Sequence, residues 1–250
     1  MGTPREHAPW RGMIRRPSHL WTDRTTMIVA IDGPAASGKS TVAKMLATAI
    51  GAHYLDTGAM YRAVALAALQ SGISLDDTEA LTRLSAALTI TFEHTGGSPL
   101  PTAVLLDGVD VTSAIRTPEV DAAVSAVAKT PGVRAILVSR QRQIASAEPV
   151  LVAEGRDVGT VVFPHAAVKV FLTASPQERA RRRHAEMTGR GHAVENADVL
   201  AGIANRDEAD STRDASPLLI AADAVELDTT GLSVAQVVAK IASLVEERHR

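Results

Sequence analysis

From Thr26 to Ile31 the chain is predominantly apolar and then stops at Asp32-Gly33. A short apolar run without alternation predicts a strand covered on both faces, the habit of parallel sheets. Lys39 to Ile50 then changes period: Val42, Ala43, Leu46 and Ile50 fall on one helical face, and Gly51 supplies the stop. Buried runs recur at Val150–Ala153, Val168–Thr173 and Val225–Leu227, with a shorter one at His53–Leu55, separated by stretches of helical spacing. Alternation of this kind predicts an α/β domain on a parallel sheet. After Ser233 the positions Val234, Val237, Val238, Ile241, Leu244 and Val245 form a single stripe, predicting a core-facing closing helix.

Two segments depart from the rhythm. Residues 84–124 contain the strand-like runs Leu88–Glu93, Ala103–Leu106 and Val109–Thr112, with Asp107-Gly108 as a hairpin signal, and predict an antiparallel insert. Ser175-Pro176-Gln177-Glu178 predicts a capping box with proline in the first turn, opening an arginine-loaded helix through Glu186 and leading to Gly189-Arg190-Gly191.

Composition narrows the function classes. With 250 residues, a formal net charge of -2 and no cysteine, there is room for one large domain with an insert or at most two domains, no whole-chain field to gather nucleic acid, and neither disulfide nor thiolate chemistry. The lack of cysteine is compatible with a reducing cytoplasm, and no run approaches the roughly 18 apolar residues that a bilayer requires. Residues 1–25 carry Arg5, Arg11, Arg15, Arg16 and Arg24 without periodicity; they read as a disordered basic extension, or as a start assigned upstream of Met27. His53, His165, His184 and His192 lack ligand spacing, and Trp10 and Trp21 have no nameable partners.

Chemistry enters at Gly33-Pro34-Ala35-Ala36-Ser37-Gly38-Lys39-Ser40, which satisfies the P-loop pattern between a strand and a helix. Such a loop curls its amides around the phosphates of ATP, Lys39 reaches the β- and γ-phosphates, and the Ser40 hydroxyl is placed for Mg2+. The loop alone leaves open whether the triphosphate is hydrolysed as a switch or used on an acceptor. No Asn-Lys-x-Asp element favours a switch.

Ligands of open α/β sheets sit beyond the carboxyl ends of the strands. There the chain places Asp56-Thr57-Gly58-Ala59-Met60-Tyr61-Arg62 and Gly155-Arg156-Asp157-Val158-Gly159-Thr160-Val161-Val162-Phe163-Pro164. With the P-loop and Arg206–Arg213, these stretches resemble the bacterial cytidylate kinases from about Met27 to the C-terminus, in an order and spacing that separate them from adenylate, guanylate and shikimate kinases. The resemblance implies a P-loop fold with a five-stranded parallel sheet of order 2-3-1-4-5, a helical lid at about 175–195 and an acceptor-binding insert at 84–124, the core being 26–83 and 125–250.

It further implies transfer of the ATP γ-phosphoryl to CMP or dCMP with magnesium. The donor would lie on Gly33 to Ser40 and Thr41. Arg62 and Arg156 would hold the acceptor phosphate, Ser125, Arg134 and Asp157 the cytosine edge, and Arg206, Asp210 and Arg213 the ribose side, with Thr57 beside them. Helical spacing puts Arg206, Asp210 and Arg213 on one face, whether as a ligand site or as a solvent-exposed ion-pair ladder. Among Arg179, Arg181, Arg182 and Arg183, the pair Arg179 and Arg183 shares a face and suits the transferring phosphoryl, although a plain basic surface helix has the same pattern. The expected partners are small nucleotides, with neither nucleic acid nor membrane, and the expected state is a cytoplasmic monomer. A kinase for UMP or shikimate is the nearest alternative.

Overall fold

A computed structural model describes residues 26–189, 191 and 194–248. The N-terminal extension, Arg190 and His192 lie outside the described residues. The chain runs through β1 (Met27–Asp32), α1 (Lys39–Ile50), β2 (His53–Asp56), α2 (Thr57–Gln70), α3 (Thr78–Ala87), β3 (Ile90–Glu93), β4 (Ala103–Leu106) and β5 (Val109–Asp110). It continues through α4 (Pro118–Lys129), α5 (Pro131–Ser146), β6 (Val150–Gly155), β7 (Val168–Thr173), α6 (Pro176–Gly189), α7 (Asn196–Thr212), β8 (Val225–Asp228) and α8 (Val234–Arg248).

Five strands form one sheet in the order β2-β6-β1-β7-β8, all pairings parallel, which is the 2-3-1-4-5 order expected. Because side chains alternate along a strand, β1 feeds two cores. Val29 and Ile31 pack with Val42, Leu46, Val152, Val170, Val238 and Ile241 beneath α1 and α8. Ala30 faces the other way, with Leu55, Met60, Val64, Leu137 and Leu151 under α2 and α5. The run at Val225 behaves differently from a buried strand: β8 is the sheet edge, and Val225 is exposed.

Residues 90–110 form a separate antiparallel sheet, β3-β4-β5. Asp107 (φ 49°) and Gly108 (φ 83°) both take positive φ between Leu106 and Val109, the two-residue turn that suits strand twist. β3 starts at Ile90 and not at Leu88, because Leu88 caps α3; Leu88 and the inner residues Ile90, Val104 and Leu106 share the core of α2, so this sheet is welded to the parallel one. β5 is shorter than the Val109–Thr112 expected, because the Thr112 hydroxyl turns back to Asp110 at 2.6 Å and accepts from Val104 N at 2.9 Å.

Half of the expected capping box at α6 forms: Glu178 N donates to Ser175 Oγ at 3.2 Å. The Glu178 carboxylate goes instead to Arg181 and Arg182, while Ser175 N donates to Thr230 Oγ1, and the helix runs on past Glu186 to Gly189. A complete box caps α8, where Ser233 N donates to Gln236 Oε1 at 2.9 Å and Gln236 N to Ser233 Oγ at 3.3 Å.

Candidate functional site

The turn after β1 is dictated by sterics. Gly33 lies so close to β7 that a Cβ there would stand 2.0 Å from the Leu172 carbonyl oxygen, and Gly38 holds φ at 94° to let α1 begin. No side chain caps the start of α1, which leaves its amides free for an anion. Lys39 folds back over the loop, donating to Pro34 O at 2.7 Å and Ser37 Oγ at 3.3 Å. Burial, and secondarily the nearby Arg156, depress its pKa from 10.5 to about 7.

At the end of β6 the Glu154 carboxylate accepts from Ser40 Oγ at 2.5 Å and Tyr54 Oη at 3.0 Å. Burial and the neighbouring Asp56 raise its pKa. One strand over, Asp32 accepts from Val158 N at 2.8 Å and Gly159 N at 2.7 Å, fastening the single π-helical turn Val158–Val162 behind Arg156 and Asp157. Burial pushes Asp32 up to about 6 despite those two amides.

Opposite the loop lies a cleft of about 1130 Å³ lined by α2, α4, α6 and α7. Arg62, in the first turns of α2, donates to Ile115 O at 3.0 Å and to Asp121. Arg156 donates to Asp210 Oδ2 at 2.7 Å. Arg134 reaches Asp157, Ala128 O and Ser216 Oγ, its guanidinium 5.4 Å from the Tyr61 ring centre. Ser125 lines the same cleft from α4, and Thr41 lines it beside the loop. The Thr57 hydroxyl donates to Glu154 O at 2.7 Å and so ties α2 to β6.

The Arg206 Nε is buried without a hydrogen-bond partner, as is Nη2 of the neighbouring Arg213. Burial, then Arg156 and Arg62, lower the Arg206 pKa to about 10. A buried guanidinium facing two others makes this part of the cleft favourable for an anion. Arg206 and Asp210 do share α7, but Arg213 caps the helix in an extended conformation (φ −65°, ψ 140°) rather than extending its face. It reaches the site because its Nε donates to Ser216 O at 2.6 Å, leaving Nη1 3.7 Å from Asp210 and Nη2 3.8 Å from Asp157.

The four α6 arginines part company. Arg179 donates to Ala35 O and Asp207, and Asp207 also accepts from the loop amide of Ala35 at 3.1 Å. Arg183 crosses the cleft to Asp121 at 2.7 Å. Arg182 holds the loop from outside, through Ser37 O at 3.1 Å and Thr229 at 2.9 Å. Arg181 is exposed and paired with Glu178. A second groove of about 640 Å³ opens beside β7 and α8, where Lys169 is engaged by Pro164 O and Asp223.

Phosphate-binding loop, carboxylate-lined strand ends and a facing arginine cluster therefore converge on one cleft. A family model described as cytidylate kinase matches residues 29–247. The chain belongs to the cytidylate kinase family. Among its relatives is the cytidylate kinase of Pelotomaculum thermopropionicum, 49% identical over 89% of this chain and 97% of that one. The cytidylate kinase of Geobacter sulfurreducens is 48% identical over 91% of this chain and 96% of its own. That of Mycolicibacterium paratuberculosis is 49% identical over 89% and 96%.

Beyond the site residues expected from the sequence, the structure brings Glu154, Asp32, Asp121, Asp207 and Arg182 to the cleft or its walls. Glu154 and Asp32 stood at strand ends, where the topology alone marks them. Asp121 and Asp207 carried no signal, because their partners are 59 and 28 residues away.

Proposed function

We propose that this chain transfers the γ-phosphoryl of ATP to CMP or dCMP, giving ADP and the corresponding diphosphate. The observation that carries the reading is Arg206, a buried cation with an unpartnered Nε, set beside Arg62 and Arg156 across from an uncapped P-loop helix. The relatives' names supply the acceptor class.

In this reading the loop amides and Lys39 hold the donor phosphates, and Arg62, Arg156 and Arg206 take the acceptor phosphate. That phosphate is already an anionic nucleophile, so no general base is needed; the cost is repulsion between two polyanions, which guanidinium groups offset. Arg179 and Arg183 neutralise charge on the transferring group. Asp157 accepts from the cytosine amine while Arg134 and Ser125 address its acceptor edge, a combination that rejects uracil. Asp210 accepts from a sugar hydroxyl, and Arg213 donates beside it. The insert at 84–124 together with the rest of α4 forms the acceptor wall, and α6 with the start of α7 forms the lid.

Magnesium fits the Ser40–Glu154 pair, two oxygens 2.5 Å apart beside Lys39. Among the described residues no group of three or more His, Asp or Glu side chains is arranged to hold a metal, so phosphate oxygens and water would complete its shell. Bound there, it supplies charge neutralisation at the donor phosphates. No described helix is long and apolar enough to cross a membrane; we place the enzyme in the cytoplasm as a monomer.

The test is ADP release from ATP with CMP, dCMP, UMP, AMP and GMP in parallel, repeated with Lys39→Ala. Preference for the cytosine nucleotides and loss of transfer in the variant are expected. Equal turnover of UMP, or of no monophosphate, overturns the reading.

A further inference from the structure

The acceptor side of the cleft contains a carboxylate where a phosphate is wanted. Asp121, on α4, accepts from Arg62 Nη2 through one oxygen and from Arg183 Nη2 through the other at 2.7 Å. It also lies near enough to Arg206 to favour that residue's charge. Burial works to raise the Asp121 pKa, but Arg62 and Arg183 overcome it and hold the carboxyl below its ordinary value, so it is ionised at neutral pH. A carboxylate bridging two guanidiniums through separate oxygens is the smallest imitation of a bridging phosphate.

Neither arginine depends on Asp121 for its position. Arg62 is independently tied through Nη1 to Ile115 O at 3.0 Å, and Arg183 through Nη1 to Glu186 Oε2 at 2.9 Å. What Asp121 adds is charge, at a point that a phosphate dianion cannot share with it.

We propose that Asp121 is a built-in place-holder that occupies the Arg62–Arg183 pair until the acceptor phosphate displaces it, and thereby raises the concentration of any phosphate needed to fill that pair. The inference rests on the assignment of Arg62 to the acceptor phosphate. A free phosphate must evict Asp121 with nothing but its own charge. A nucleoside monophosphate is also held at its base and sugar, by Arg134, Asp157 and Asp210, and evicts Asp121 with help from those contacts. Asp121 acts through the arginines by its charge and is not itself a catalytic residue.

The experiment compares wild type with Asp121→Asn and, as a smaller neutral replacement, Asp121→Ser. Inorganic phosphate is titrated calorimetrically, and KM for CMP, kcat and the phosphate inhibition constant against CMP are measured. Thermal midpoints establish that each variant is folded. We expect phosphate to bind roughly 10-fold tighter in both variants, and KM for CMP to fall by a comparable factor, because both ligands displace the same carboxylate. If Asp121 merely scaffolds Arg62, phosphate affinity is unchanged or weaker and KM rises; either result overturns the proposal. Failure of the underlying functional reading shows separately, as a wild type that does not phosphorylate CMP, while the phosphate titration still reports on Asp121.

Discussion

Donor binding should consume a proton, and Lys39 is the group that takes it up. Its Nζ is buried over Pro34 O and Ser37 Oγ, with a pKa lowered to about 7 chiefly by burial and then by Arg156, against the pull of Glu154 and Asp32. The unliganded protein therefore carries this lysine about half-charged at neutral pH. A triphosphate on the loop sets several negative charges against Nζ and returns the pKa to about 10, its ordinary range. With those two values, uptake is roughly 0.9 proton per nucleotide at about pH 8 and roughly 0.5 at about pH 7.

The sign follows from the direction of the shift. A group whose pKa rises on binding favours the complex while the free form must be protonated to bind, so affinity is lost as pH climbs through about 7 and levels off near about 10. Between about pH 7 and about pH 9 the dissociation constant weakens about 50-fold, roughly 2 kcal/mol. Calorimetry of a non-hydrolysable ATP analogue with magnesium, in buffers of different ionisation enthalpy, reads the proton count as a slope. Lys39→Met should flatten that slope. Zero uptake by wild type at about pH 8, or proton release, refutes the reasoning.

Two further outcomes follow from the carboxylates. Asp157→Asn leaves Arg134 and Arg213 buried with a neutral partner; breaking such a pair costs about 3–5 kcal/mol, read as a lower urea midpoint, and an unchanged midpoint removes Asp157 from that role. Glu154→Gln keeps an acceptor for Ser40 or Tyr54 but removes the charge opposite Lys39; kcat should fall on the order of 100-fold with steady-state kinetics as the readout, and an unaltered kcat takes Glu154 away from the donor phosphates.

Strands and helices that keep one environment along their length were legible in the amino-acid pattern. β1, buried on both faces, and α1, ended by Gly51 at φ 69°, are examples. Edges were harder, because composition cannot distinguish a central strand from an outer one: Val225 reads like Val168 but has a neighbour on one side only. The P-loop was readable because its glycines answer a local demand, contact with Leu172 O in one case and positive φ in the other. Arg213 shows the limit of periodic reasoning, since its place is set by a turn at Ser216, itself at φ 53°, and not by helical phase. Bridges such as Arg62–Asp121 and Arg179–Asp207 depend on tertiary approach, and spacing along the chain is silent about them.

The position of β1 has a consequence for how the molecule is made. This strand is synthesised first and sits at the centre of the sheet, yet Met27 pairs with Val150 and Val29 with Val168. While the ribosome is still adding the intervening helices, both hydrogen-bonding edges of β1 lack their native neighbours. Nascent chains shorter than about residue 173 cannot flank β1 on both sides, and those shorter than α8 leave Val42 and Leu46 without their cover. Such chains expose strand edges of the kind that aggregate or recruit chaperones, so folding of this enzyme belongs to the last moments of translation.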